Sequence, residues 1–495
     1  MRAKKATWRS LAWLAMPAIM MVSGCKVTAE DIDYWKGTVK GPGKIVAVML
    51  ADKYPMELRT QAAIALVDME RSDRDGTAEL QQAVQRLDET ARAELIRGMV
   101  PGLEELMKQA EAKTEGPAPR QIRAKDAAFL MITHAPDAEK ARLTMDVVNW
   151  YVEDFNGRSL AGNYSAEQVV RSLGSPAAKA LVKGLKSHLP QQALVKMAQL
   201  IGQIADADAR KEAGDRLIAI ELEMEGQAFL DWLSQTLKAQ IEKSGKVADA
   251  ATLLRAATTN RDSFINDGAL PAMKWLADEA AVKQRLLAIA STRIAGDGGA
   301  MRRMRALQAL EGKVDKSDLQ KVLALALDTN NPTGVRDYAF DRVGDIRSPE
   351  ALPSLWPLVT STSDARLRWR AGELVLAIGG PSIVSEFFAK LPGGETEYAA
   401  EELEGYATRM GQMSPLPSDA LRGRLGSSSW WERVIAIRFF ERKGSADDVK
   451  RIEGLKADQA KVKGPHWGSK TKTVGQVAEE AAMAANERLV LSGGK

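Results

Sequence analysis

Small and apolar residues recur at helical spacing behind a set of arginines. Counting from Arg59, they fall at +3, +4, +6 and +7, as Ala62, Ala63, Ala65 and Leu66. These offsets set Ala62, Ala63 and Leu66 along one helical face. Arg303 opens a segment with the same offsets: Ala306, Leu307, Ala309 and Leu310. With some slippage the pattern returns after Arg336 (Ala339, Phe340, Val343), Arg368 (Ala371, Leu374, Val375) and Arg433 (Ala436, Ile437, Phe439, Phe440). Arg92 and Arg123 open weaker copies. Long alternating β-branched runs are missing, so the pattern predicts helices throughout.

The intervals between the arginines carry the architecture. The step from Arg59 to Arg92 is 33, from Arg92 to Arg123 it is 31, from Arg303 to Arg336 it is 33, and from Arg336 to Arg368 it is 32. The step from Arg368 to Arg433 is 65, close to two periods. A fixed period in this range marks stacked helical repeats, because one unit holds too little apolar surface to stand alone. The expected fold is all-α: an α-solenoid of helix pairs. Leu50-Ala51-Asp52 leads through Pro55 to Arg59, and Leu327-Asp328 leads through Pro332 to Arg336. An apolar helix ending at Asp, a proline turn and an arginine in the next helix resemble HEAT repeats, in particular the short HEAT-like kind. The tetratricopeptide and ankyrin signatures are not visible. The resemblance implies a ladder in which Asp52 meets Arg59 and Asp328 meets Arg336. It is clear at 44–70 and 300–380, weaker at 85–135, 170–220 and 428–455, and faint elsewhere.

The start of the chain breaks this pattern. Arg2, Lys4, Lys5 and Arg9 precede a short apolar run, Leu11 to Val22. A spanning helix needs about 20 apolar residues, more than this run holds, so it fits a secretory leader. Val22-Ser23-Gly24-Cys25 follows, and Cys25 is the sole cysteine of 495 residues. This resembles a bacterial lipoprotein signal, which implies cleavage before Cys25 and a lipid on its sulfur. Lys26 follows rather than Asp; by resemblance to enterobacterial lipoproteins this favours the outer membrane. The expected organisation is a signal peptide at 1–24 and a flexible tether at 25–43, with Gly37, Gly41, Pro42 and Gly43 as breakers. An N-terminal array follows at 44–290, with 205–290 an irregular segment, helical in pattern but out of the arginine register, a candidate for longer helices and for a hinge between two sub-arrays. A C-terminal array occupies 291–490.

Charge and chemistry then narrow the function. The chain has 69 basic and 65 acidic residues, a net +4. The four basic residues of 1–24 account for that excess, so nothing argues for nucleic acid. The three histidines, His134, His188 and His466, lie far apart and form no ligand pair, so no metal or other cofactor is expected. The stretch Gly464 to Thr471 approaches a phosphate loop, but Ser469 replaces the second glycine and a helix rather than a strand precedes it. Arg366, Trp369 and Arg370 share the second helix of one repeat, and Trp430 and Trp431 open another. In HEAT arrays such helices line the concave surface, and Trp and Arg are enriched at binding hot spots. These five are the candidate partner-binding residues. The expected function is a non-catalytic scaffold, anchored through lipid on Cys25 in the bacterial cell envelope, that binds other envelope proteins or peptides. The alternative is an enzyme with a pocket in the solenoid, because the short HEAT-like repeat is named after bilin lyases.

Overall fold

The computed structural model describes residues 27–69, 75–108, 119–361, 363–468 and 471–493. The expected signal peptide and Cys25 lie outside them. The described residues are helical, apart from turns and one isolated bridge between Lys461 and Thr473. They form two compact units, one ending at Arg216 and the other starting at Leu217.

Each unit is an α-solenoid of antiparallel helix pairs stacked in chain order. In the first, Gly41–Leu50 pairs with Met56–Asp68, and Glu89–Lys108 packs on Met56–Asp68 and Pro119–Ile132. In the second, five second helices pack side by side in sequence. They are Asp297–Ala309, Thr333–Ile346, Ala365–Gly379, Ala400–Met410 and Trp430–Lys443, and Val474–Gly493 packs on the last of them. Shorter helices such as Leu319–Leu327 and Leu352–Val359 cover them. The residues predicted for the inner faces are buried: Ala62, Ala63, Leu66, Ala306, Leu307, Ala339, Phe340, Ala371 and Val375 are all sealed from solvent.

Prolines start the second helices as the sequence suggests. Pro55 and Pro332 sit in extended conformation at the N-caps, and their carbonyls accept from Arg59 N and Arg336 N at 3.1 Å. Of the two expected carboxylate rungs only Asp52–Arg59 forms. Arg433 Nε pairs with Asp458 at 2.7 Å, but in five other arginines Nε donates to the penultimate carbonyl of another helix: Arg59 to Met49 O at 2.8 Å, Arg92 to Val84 O at 3.1 Å, Arg123 to Val67 O at 3.0 Å. Arg303 reaches Ala290 O at 2.7 Å and Arg336 reaches Ala326 O at 3.1 Å. Arg216 makes the equivalent bond to the C-cap residue Leu185 at 3.2 Å. The last carbonyls of a helix have no partner within it, and they carry the negative end of its dipole. A guanidinium answers both needs. Asp52 does meet Arg59 at 3.2 Å, but from a largely exposed position. Asp328 turns instead to Arg293 and the Asn330 amide.

The doubled interval after Arg368 has a structural cause. Where the missing rung would fall stands Glu402, and it takes Arg368. Arg368 Nε and Nη2 donate to the two Glu402 oxygens at 2.8 and 2.9 Å, with both side chains only 1 % exposed. Burial works against the charged guanidinium, yet the hydrogen bonds and charge of Glu402 hold its pKa above the ordinary value. Tyr406 Oη donates to Glu402 at 2.9 Å, and Arg368 stacks over Tyr398 at 4.5 Å.

Two other expectations need correction. Residues 25–43 are not a loose tether from Thr28 onward. Thr28 and Asp31 form a capping box for Ala29–Lys36, and Gly41 and Pro42 are buried in the first turn of Gly41–Leu50. Gly41 is needed for close approach rather than flexibility, since a Cβ there would lie 1.7 Å from Trp35 O. The division also falls at 216/217 rather than near 290. One long helix, Ala207–Ser244, covers the start of 205–290, and within the second unit its Glu221 is tied to Arg285 and Arg302.

The buried Arg368–Glu402 pair yields a prediction. Glu402→Leu alone strands a buried charge and costs about 3–5 kcal/mol in urea unfolding. Adding Arg368→Met recovers more than half of that loss. Additive losses in the double variant would show that the two side chains act separately.

Candidate functional site

The Ala365–Gly379 helix begins at Asp364, whose side chain accepts from Leu367 N. Its sequence then sorts residues by face. Arg368 points into the core, as described. Arg366, Arg370 and Glu373 follow one another at helical spacing on the other side. Arg366 pairs with Asp337 and Arg370 with Asp341, two residues one turn apart on Thr333–Ile346. Two ion pairs therefore bridge neighbouring second helices. Trp369 lies beside them, half-buried, and its Nε1 is buried without a hydrogen-bond partner.

The next helix supplies room for that indole. Gly405 stands where a Cβ would come 2.7 Å from Trp369 Nε1 and 2.8 Å from Glu373 Oε1. Around Gly405 opens a groove of about 430 Å³, lined by Glu373, Glu401, Glu404, Thr408, Arg409 and Gln412. Its lip is acidic. Glu404 is held by Arg442 from Trp430–Lys443. Glu401 meets His466 Nδ1 at 2.9 Å, and its own backbone amide together with that ring holds its carboxyl below the usual range. Four second helices thus contribute to one polar face: Thr333–Ile346, Ala365–Gly379, Ala400–Met410 and Trp430–Lys443. The structure brings Arg366, Trp369 and Arg370 together at its edge. Sequence reasoning missed Gly405 and the glutamates. The acidic pair Glu401-Glu402 is visible in the sequence, but nothing there says that one faces out and the other in.

Trp430 and Trp431 are corrected. They are 7 % and 3 % exposed and belong to an aromatic core with Phe388, Tyr398 and Trp467. The stretch that approaches a phosphate loop has a packing role: Tyr398 N donates to Lys463 O at 2.8 Å, and Trp467 Nε1 donates to Tyr398 O at 3.0 Å. It straps down the segment before Ala400–Met410. Its Ser469 and Lys470 lie outside the described residues.

A second cluster occupies the first unit. Glu104, Arg142 and Asp146 meet across the Glu89–Lys108 and Asp137–Glu153 helices, beside a cavity of about 280 Å³ that Asn149, Trp150 and Arg158 also line. Burial first, then the neighbouring Glu104, pushes the Asp146 carboxyl up to about 6, against the opposing pull of Arg142. Glu104 moves the other way: its bonds to Arg142 and Asp146 outweigh burial. Arg158 covers the Trp150 ring at 4.6 Å. Among the described residues no group of three or more His, Cys, Asp or Glu is arranged to hold a metal ion.

No protein-family model matches the chain. No curated protein matches it either. Among solved structures, the crystal structure of Kap121p is similar over 93 % of this chain and 45 % of that one, with 15 % identity and a TM-score of 0.36. Kap121p bound to RanGTP is similar over 94 % and 50 %, with 13 % identity and a TM-score of 0.35. The chain spans about half the length of these solved chains. A likeness this loose supports no conclusion, and the fold rests on the helix packing described above.

Proposed function

We propose that this chain is a non-catalytic scaffold that holds a protein partner on the second-helix face of its C-terminal unit. We propose further that lipid on Cys25 tethers it in a bacterial cell envelope, with the outer membrane as the destination. The observation that carries the binding reading is Trp369. A half-buried indole set beside an acidic groove offers apolar contact area next to charged and polar groups. Trp and Arg in such positions dominate binding energy. The glutamate lip suits a basic or amide-rich peptide segment. Anchoring would raise the local concentration of the scaffold near membrane-bound partners.

The carboxylate pair in the first unit favours one second reading. Glu104 and Asp146 share a cleft, and a carboxyl titrating near 6 is suited to proton transfer. This is the alternative of an enzyme with a pocket in the solenoid.

Two experiments test these readings. A photo-crosslinker at Thr408, in native envelopes, should capture one reproducible partner, and Trp369→Ala should weaken it by about 30-fold, as a hot-spot loss of about 2 kcal/mol requires. Cys25→Ser should abolish fatty-acid labelling and release the protein from membranes. Capture unaffected by Trp369→Ala would contradict the binding reading, and a labelled, membrane-bound Cys25→Ser protein would contradict the anchor.

The Asp146 environment predicts a pH dependence. Its carboxyl binds a proton more tightly folded than unfolded, so stability falls as pH rises from about 4 to about 6. Asp146→Asn should therefore be more stable than the parent above pH 6, and should gain nothing near pH 4. Equal thermal unfolding of the two proteins at pH 7 would show that neither burial nor Glu104 raises the Asp146 carboxyl.

A further inference from the structure

A cavity in the second unit has a composition that neither reading uses. It holds about 260 Å³ and is bounded by the Ala280–Ser291 and Asp297–Ala309 helices and by residues Leu222 and Glu225 of Ala207–Ser244. Four guanidinium groups surround it: Arg261, Arg285, Arg302 and Arg303. Glu221, wholly buried, accepts from Arg285 Nε at 2.9 Å and Nη2 at 2.6 Å, and from Arg302 Nη2. Glu225 accepts from Arg261 Nη2 at 2.6 Å and Arg302 Nη2 at 3.4 Å. Arg303 is committed to Ala290 O and to Asn331 Oδ1. Arg302 is the exception. It is 4 % exposed, and its Nε and Nη1 are buried with no hydrogen-bond partner.

Those two donors are costly as they stand. A buried N–H without an acceptor loses about 1–3 kcal/mol, and more on a charged group. The local charge does not balance either. Four arginines face Glu221 and Glu225. Asp262, next to the cluster and bonded to the Gly299 amide at 2.7 Å, still leaves one positive charge over. A water molecule could accept the N–H groups but would not neutralise that charge. The remaining lining is mostly apolar, with Leu222, Ile289 and Ile294 beside Thr292 and Gly299, and Leu222 is half exposed, so this side is open to solvent.

We propose that this cavity binds a small organic anion, a carboxylate or phosphate monoester carrying a short apolar group. The anionic oxygens accept from the free Arg302 donors, with Arg285 and Arg261 adding charge. The apolar group lies on Leu222, Ile289 and Ile294. The volume admits a chain of roughly six carbons and excludes drug-sized ligands, whose pockets start at about 300 Å³. The site goes beyond the scaffold reading and does not depend on it.

Calorimetric titration of the full chain tests the proposal, with hexanoate, n-butyl phosphate, inorganic phosphate and 1-hexanol as probes. At least one of hexanoate and n-butyl phosphate should bind saturably at a single site, and 1-hexanol should not. The probe that binds distinguishes a carboxylate site from a phosphate site. Arg302→Gln should weaken binding at least about tenfold. Leu222→Asp, a surface change that leaves folding intact, should do the same by placing a like charge beside the apolar group. No saturable binding by either organic anion overturns the proposal. So does inorganic phosphate binding as tightly as n-butyl phosphate, or affinity that Leu222→Asp leaves unchanged.

Discussion

One bond recurs in both units: an arginine Nε donating to the carbonyl at the end of a neighbouring helix. Five of these carbonyls are penultimate in their helices, at Met49, Val67, Val84, Ala290 and Ala326. A helix end holds unpaired acceptors and partial negative charge. Burying that end against another helix is unfavourable unless a donor reaches it. Arginine reaches it with a planar, permanently charged group, and its stem fills apolar space on the way. The bond therefore fixes how far the second helix slides along the first. Where the bond runs to the preceding helix, as at Arg59, Arg92, Arg303 and Arg336, the near-constant interval follows from the same constraint: each such pair returns an arginine to the same end.

Departures from the rule mark where the array changes use. At Arg368 the partner is Glu402, drawn from the next second helix rather than from a helix end. This buried pair, with Tyr406 and Tyr398, fixes the Ala365–Gly379 and Ala400–Met410 helices against each other. Their outer faces then carry Trp369, Glu373, Glu401 and Glu404 at settled spacing. For the proposed binding role, a groove with a fixed floor would keep its side chains arranged beforehand and so lower the ordering cost of binding. The same inward and outward sorting gives Arg366 and Arg370 their bridges to Asp337 and Asp341.

The fold was legible because its signals are local. Apolar offsets of +3, +4 and +7, prolines at helix starts and evenly spaced arginines all lie within a few turns of one another. The partners of those arginines were not legible. A backbone carbonyl leaves no trace in residue identity, so Asp328 drew attention that belonged to Ala326, and Asp52, which does meet Arg59, hid the Met49 carbonyl that Arg59 also bonds. Trp430 and Trp431 misled for a related reason. Their burial depends on Tyr398 and Trp467, which lie far along the chain on either side. The two cavities are less legible still. Glu221 meets Arg302 across 81 residues, and Glu104 meets Arg142 across 38. Gly41 read as a breaker because its true constraint, the Trp35 carbonyl, is again backbone.

The helix-end bond is tested most directly by hydrogen exchange of the full chain carrying Arg303→Met, with Arg366→Met as the surface comparison. Removing a charged, buried donor should cost about 1.5–3 kcal/mol. Amide exchange should then quicken together across Ala280–Ser291 and Asp297–Ala309, while Arg366→Met changes neither helix by more than about 0.5 kcal/mol. Exchange in Arg303→Met that matches the parent over both helices would mean that apolar contact alone sets the pairing and that the guanidinium bond does not.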